Sequence, residues 1–169
     1  MAAGSTYTPI ATTTVSGSST TSYTFSSIPS TYTDLVLITN SGVTAGQSLI
    51  RVNSDSGSNY SYTWMDGNGT SAGSSRATSR TGLYINWDGE TNAIQNTGIF
   101  HFMNYANTTT YKTILWRAGD SATSTIANVA LWRGSTGSAT QAINSITIQS
   151  SSGNFIANST FTLYGILAA

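Results

Sequence analysis

The chain has no cysteine, one histidine (His101), two prolines and only 7% charged residues in 169. Without thiols there is neither a disulfide framework nor a thiolate metal site. Six basic and six acidic residues cancel, so no long-range field steers nucleic acid or an anionic membrane toward the protein. No apolar run approaches the roughly 18 residues of a membrane helix. The opening MAAGSTYTPIATTT has no basic n-region and no apolar h-region, so no signal peptide is expected there. Catalysis gathers acids, bases, nucleophiles or metal ligands in one pocket, and this chain has few to gather. The expectation is a protein that is not an enzyme, has no cofactor or metal, and is made in a cytoplasm.

What the chain has is hydroxyls: about a third of its residues are Ser or Thr. Helical spacing of apolar residues is absent, and Thr, Tyr, Val and Ile dominate the ordered-looking runs, as strands prefer. Strands are predicted over Thr21–Ile28, Asp34–Asn40, Gln47–Asn53, Ser61–Asp66, Thr81–Trp87, Thr97–Tyr105, Tyr111–Arg117, Ile126–Arg133, Ile143–Gln149 and Thr160–Ile166. Turn signals sit between them, including Asp66-Gly67-Asn68-Gly69, Asp88-Gly89 and Asn107. Leu35-Val36-Leu37-Ile38 is apolar on consecutive positions, as a central strand buried on both faces would be. The fold class that follows is all-β: a single-domain antiparallel β-sandwich, jelly-roll-like, over residues 16–169. Residues 1–15 are expected to form an extended N-terminal arm pinned by another subunit. Ser16–Ser22 and Gly69–Ser79 have the composition of flexible linkers.

Few residues carry chemistry. His101, inside Ile99-Phe100-His101-Phe102-Met103, has no carboxylate or nucleophile near it in sequence, and an interface histidine is the plainer reading. Asp88 and Glu90 straddle a hairpin turn, where a solvated tip outweighs a glycosidase pair. Asp66 to Gly69 opens like a calcium loop but lacks the closing ligands. Trp116-Arg117 and Trp132-Arg133 repeat one dipeptide, either as interface anchors or as core tryptophans beside strand-edge arginines. Tyr60, Tyr62 and Trp64 share one strand face. With Tyr105 they would make a sugar-stacking platform if exposed, or part of the inner face if not.

Five stretches stand apart from the Ser/Thr background: Tyr7 to Thr14 (YTPIATTT), Phe25 to Leu37 (FSSIPSTYTDLVL), Met103 to Thr113 (MNYANTTTYKT), Ala142 to Ile148 (AINSITI) and Gly153 to Ile166 (GNFIANSTFTLYGI). They resemble a family of tailed-bacteriophage virion proteins from phages of aquatic bacteria. The blocks SIPSTYTDLVL and STFTLYGI are the specific ones. The resemblance implies a β-sandwich virion component with no catalytic residues to carry over. The expectation is a capsid cement or decoration protein on the phage head surface, contacting the major capsid protein and copies of itself as a homotrimer. No nucleic acid or membrane partner is expected. Tyr7, Pro9 and Ile10 of the arm, with Trp116, Arg117, Trp132 and Arg133, are the expected interface. The alternative is a tail or fibre protein binding host glycans through Tyr60, Tyr62 and Trp64.

Overall fold

A computed structural model describes residues 6–85, 95–119, 125–134 and 140–167. They form twelve strands, with no helix among the described residues. These are β1 (Tyr7–Thr14), β2 (Ser22–Phe25), β3 (Asp34–Ser41), β4 (Val43–Val52), β5 (Tyr60–Gly67), β6 (Ala72–Arg80), β7 (Leu83–Tyr84), β8 (Asn96–Phe102), β9 (Lys112–Gly119), β10 (Thr125–Trp132), β11 (Ile146–Phe155) and β12 (Thr160–Ile166). Two antiparallel sheets result, in the orders β1-β12-β3-β8-β9-β10-β5-β6 and β2-β11-β4-β7. The all-β sandwich expected from the sequence is the observed architecture.

The pairing is nested: β1 with β12, β2 with β11, β3 with β8, β4 with β7. The pairs β12–β3 and β11–β4 tie this folded-over ladder into two layers. Two further hairpins, β5–β6 and β9–β10, lie side by side and lengthen the larger sheet beyond β8. Alternation sets the faces. Along β9 residues 112, 114, 116 and 118 are buried while 115 and 117 are exposed. Strand β3 departs from this: Leu35 and Leu37 enter the core, and Val36 is also buried, though on the opposite face. There it lies between its cross-strand partners Tyr164 and His101.

One buried carboxylate gathers several polar groups of the core. Asp55, 5% exposed, accepts hydrogen bonds from Trp132 Nε1 (2.7 Å), the Gly57 amide (2.8 Å) and the Asn59 side-chain amide. The Tyr60 hydroxyl donates to the Asp55 carbonyl (3.0 Å) and accepts from the Val52 amide (3.1 Å). Tyr32 lies against Gly165, where a Cβ would come within 2.3 Å of its ring. The Tyr105 hydroxyl caps this corner by bonding the Pro29 carbonyl.

Three expectations need correction. Tyr7–Thr14, expected in the arm, is the edge strand β1, hydrogen-bonded to β12 of its own domain. Its Thr and Tyr residues suit a half-solvated strand as well as an arm. Ile10, at the β-bulge between Pro9 and Ala11, packs on the core. Most of Gly69–Ser79, which has the composition of a linker, lies in strand β6 (Ala72–Arg80) because β5 supplies a ladder partner. Residues 1–5, and Trp87 to Glu90 with their hairpin signal, lie outside the described residues.

Candidate docking face

The larger sheet has an outer face that the smaller sheet does not cover, and the register aligns one row of side chains straight across it. Pro9, Tyr164, Val36, His101, Leu115, Val129, Thr63 and Arg76 are successive cross-strand partners from β1 to β6. The neighbouring row runs Thr12, Thr162, Ile38, Ile99 and Arg117 on β1, β12, β3, β8 and β9, and resumes with Met65 and Ser74 on β5 and β6. A solvated sheet face is usually polar. Here its middle is aliphatic, and Met65 (65%), Val129 (53%) and Leu115 (38%) are exposed. At the β1 side Tyr7, 53% exposed, stands edge-on to Tyr164 with centroids 6.1 Å apart.

Tyr7, Val36, Ile99, Leu115, Val129 and Met65 line a shallow trough of about 540 Å³ reaching from β1 to β5. Six strand spacings of about 4.8 Å make it roughly 29 Å long. One polar cluster interrupts it. His101 Nε2 meets Asp34 Oδ2 at 2.8 Å, and Asp34 Oδ1 accepts the Asn104 amide at 2.6 Å. The histidine therefore has the carboxylate that sequence distance hid. Arg117 is exposed at the trough's edge.

The other singled-out residues lie elsewhere. Tyr60, Tyr62 and Trp64 face inward at 0%, 5% and 5% exposure, and Tyr105 is buried, so the sugar-stacking platform is overturned. Tyr62 packs on Trp64 and Trp116 with ring centroids 5.7 and 5.5 Å apart. Burial pushes the Tyr60, Tyr62 and Tyr105 phenols upward from their ordinary range, because the phenolate would lose its water. Trp116 and Trp132 are core residues at 3% and 0%, so neither is a surface anchor. Of the two repeated dipeptides, only Arg117 reaches the open face; Arg133 is half-buried. Pro9 is exposed on the β1 edge. Asp66 and Gly67 end β5, and the β5–β6 turn follows them, where Asn68 Oδ1 accepts the Thr70 and Ser71 amides. No group of three or more His, Asp or Glu side chains that would hold a metal occurs among the described residues. Asp88 and Glu90 lie outside them.

The outer row had a signal in the sequence. Ile99 in β8 and Val129 in β10 are outward residues that are apolar where a solvated face would carry Ser or Thr, although their outward neighbours on β8, Thr97 and His101, are polar. No family model, curated protein or solved structure matches the chain.

Proposed function

We propose that this protein is a non-enzymatic structural component of a bacteriophage virion, a capsid cement or decoration protein that seats on the major capsid protein. The observation that carries the reading is the aliphatic row across the outer face, Val36, Ile99, Leu115, Val129 and Met65, on a chain with so few charges. Exposed apolar patches of a few hundred Å² are often functional. Two supports are independent of that face. One is the resemblance in sequence blocks. The other is the nested pairing, which suits a jelly roll: the eight strands β1–β4, β7, β8, β11 and β12 pair as first with eighth, second with seventh, third with sixth, fourth with fifth. Jelly rolls are common in viral capsid and lectin domains.

The seat is small. Two rows along a trough of roughly 29 Å cover roughly 350 Å² per copy, against about 800 Å² per partner in a standard interface. Holding a shell together through such seats depends on many copies acting at once. The test is direct. Purified shells lacking this protein are mixed with wild type or with the double variant Leu115→Asp, Val129→Asp, and sedimented. Wild type should travel with the shells in hundreds of copies per particle, and the variant should stay in solution. Shells that carry the variant as fully as wild type would overturn this seat, and gold-labelled antibody found only on tails would overturn the address.

A further inference from the structure

We propose that two copies of this chain join edge to edge, β6 to β6, about a twofold axis passing at Ser74. The argument starts from the four sheet edges. An open edge offers unpaired N–H and C=O groups to any strand that approaches, and folded proteins usually blunt it. Three of the edges here are blunted. β2 has four residues and β7 two, and β1 carries Pro9 and a bulge. β6 has nine residues, contains no proline, and among the described residues pairs only with β5. Its burial agrees: Ala72 to Arg76 are all exposed.

The regular stretch of β6 is Ala72–Ala77, paired one for one with Gly67–Tyr62 except that Tyr62–Ala77 borders the bulge. Its side chains are small apart from Arg76, so another backbone can come close. The other end of the sheet is unsuited to meet it, because Pro9 cannot donate and the bulge breaks the β1 register. Head-to-tail rings or ribbons through β1 and β6 are therefore disfavoured, including an edge-closed version of the expected homotrimer. Pairing β6 with its own copy closes in one step, since a twofold axis makes identical strands antiparallel.

Register and charge select the axis. Opposite residues must point to the same face, so the axis passes through a residue. At Arg76 it would set two guanidinium groups side by side, and at Ser75 it would leave them about 7 Å apart along the strand. At Ser74 they stand about 13 Å apart, beyond the screening length of about 8 Å. Residues 72–76 of each copy then pair within the regular stretch, clear of both bulge and turn. Ser74 also ends the outer row that contains Met65, so the axis joins two outer faces into one. If the docking reading above holds, the paired stripe rises to roughly 700 Å², close to a standard interface. The edge argument itself does not depend on that reading.

The absence of cysteine makes the test clean. Ser74→Cys places two thiols at the axis, where antiparallel Cα atoms are about 4.5 or 5.5 Å apart, within disulfide range. Under mild oxidant this variant should become a covalent dimer, while Thr12→Cys on β1 should remain a single chain on a non-reducing gel. Sedimentation should find wild type dimeric at micromolar concentration and Ser74→Asp monomeric, with the variant's thermal unfolding matching that of wild type diluted to the monomer, because the position is exposed. Leu115→Asp should still dimerise, which separates this contact from shell docking. A wild type that stays monomeric at about 100 µM, a dimeric Ser74→Asp, or cross-linking at Thr12 in place of Ser74 would each overturn the proposal.

Discussion

The two faces of the larger sheet are built from the same strands, yet they are filled under different rules. Inward, β5, β8 and β9 present Tyr62, Phe100 and Trp116, with the Phe100 and Trp116 rings stacked at 5.9 Å and Tyr62 edge-on to Trp116. Some polar atoms near the inner face are held by fixed partners, as Asp55 is by Trp132, Gly57 and Asn59, while Trp116 Nε1 and Thr39 Oγ1 are buried with no hydrogen-bond partner among the described residues. Outward, one residue along, the same strands present Ile99, Leu115 and Met65 with a partly exposed His101–Asp34 pair. The difference teaches where stability resides and where binding can be changed without cost to it. Substitutions on the two faces should therefore separate cleanly.

The largest contrast is between two neighbours on adjacent strands. Phe100→Ala opens a cavity under Trp116 and should cost about 3–5 kcal/mol, as large-to-small changes in cores do. Leu115→Ala, already 38% exposed, should cost under about 1 kcal/mol. Urea denaturation of both variants measures the gap. Equal losses would mean that the outer face is a second core and not a docking surface.

Next comes the buried carboxylate. Asp55→Ala removes the acceptor for Trp132 Nε1, the Gly57 amide and Asn59. Stranding buried donors costs about 1–3 kcal/mol for each one left unpaired, so a loss of at least about 2 kcal/mol is expected in the same titration. Asp55→Asn keeps an acceptor oxygen and should lose less.

The phenols above this site give a pH signature. Desolvation raises the Tyr60 pKa from 10.0, and burial raises that of Tyr62 too. Below pH 10 the folded and unfolded chains both hold these protons, and stability does not depend on them. Above it the unfolded chain releases them while the folded chain retains them, so stability falls as pH rises. Denaturation midpoints between pH 8 and 11 should show this alkaline decline, and Tyr60→Phe should flatten part of it.

Gly165 sharpens the same point at a smaller scale. A Cβ at this position would press on the Tyr32 ring from 2.3 Å, so Gly165→Ala should cost about 1–3 kcal/mol through overpacking. Thermal unfolding reads the effect, and Tyr32→Ala in the same chain should recover part of it by making room.

How much of this was legible in the sequence follows from what each feature depends on. Leu35-Val36-Leu37-Ile38 announced a strand buried on both faces, and Asn68 and Asn107 announced turns, because those signals are local. Ala72–Arg80 announced nothing. Gly-Ser-Ser-Arg has no alternation, and only the ladder with β5 makes it a strand. The aromatic stripe on β5 was visible as a stripe, but its facing was not, since the same spacing serves core and surface. The His101–Asp34 contact joins residues 67 positions apart and needs the β3–β8 pairing to be known first.

That contact supplies the smallest and most discriminating comparison. The His101 and Asp34 side chains are 35% and 21% exposed, and partly solvated pairs contribute at most about 1 kcal/mol. His101→Ala should therefore change stability by less than that. Asp34→Ala should cost more, because Oδ1 also accepts the Asn104 amide in the turn after β8, where Asn104 has φ +49°. A carboxylate that ties down a left-handed turn is a structural group that also borders the outer trough. The histidine is a surface group alone. If the two substitutions destabilise equally, the His101 contact and not the turn is what Asp34 maintains, and the polar cluster belongs with the core rather than with the outer face.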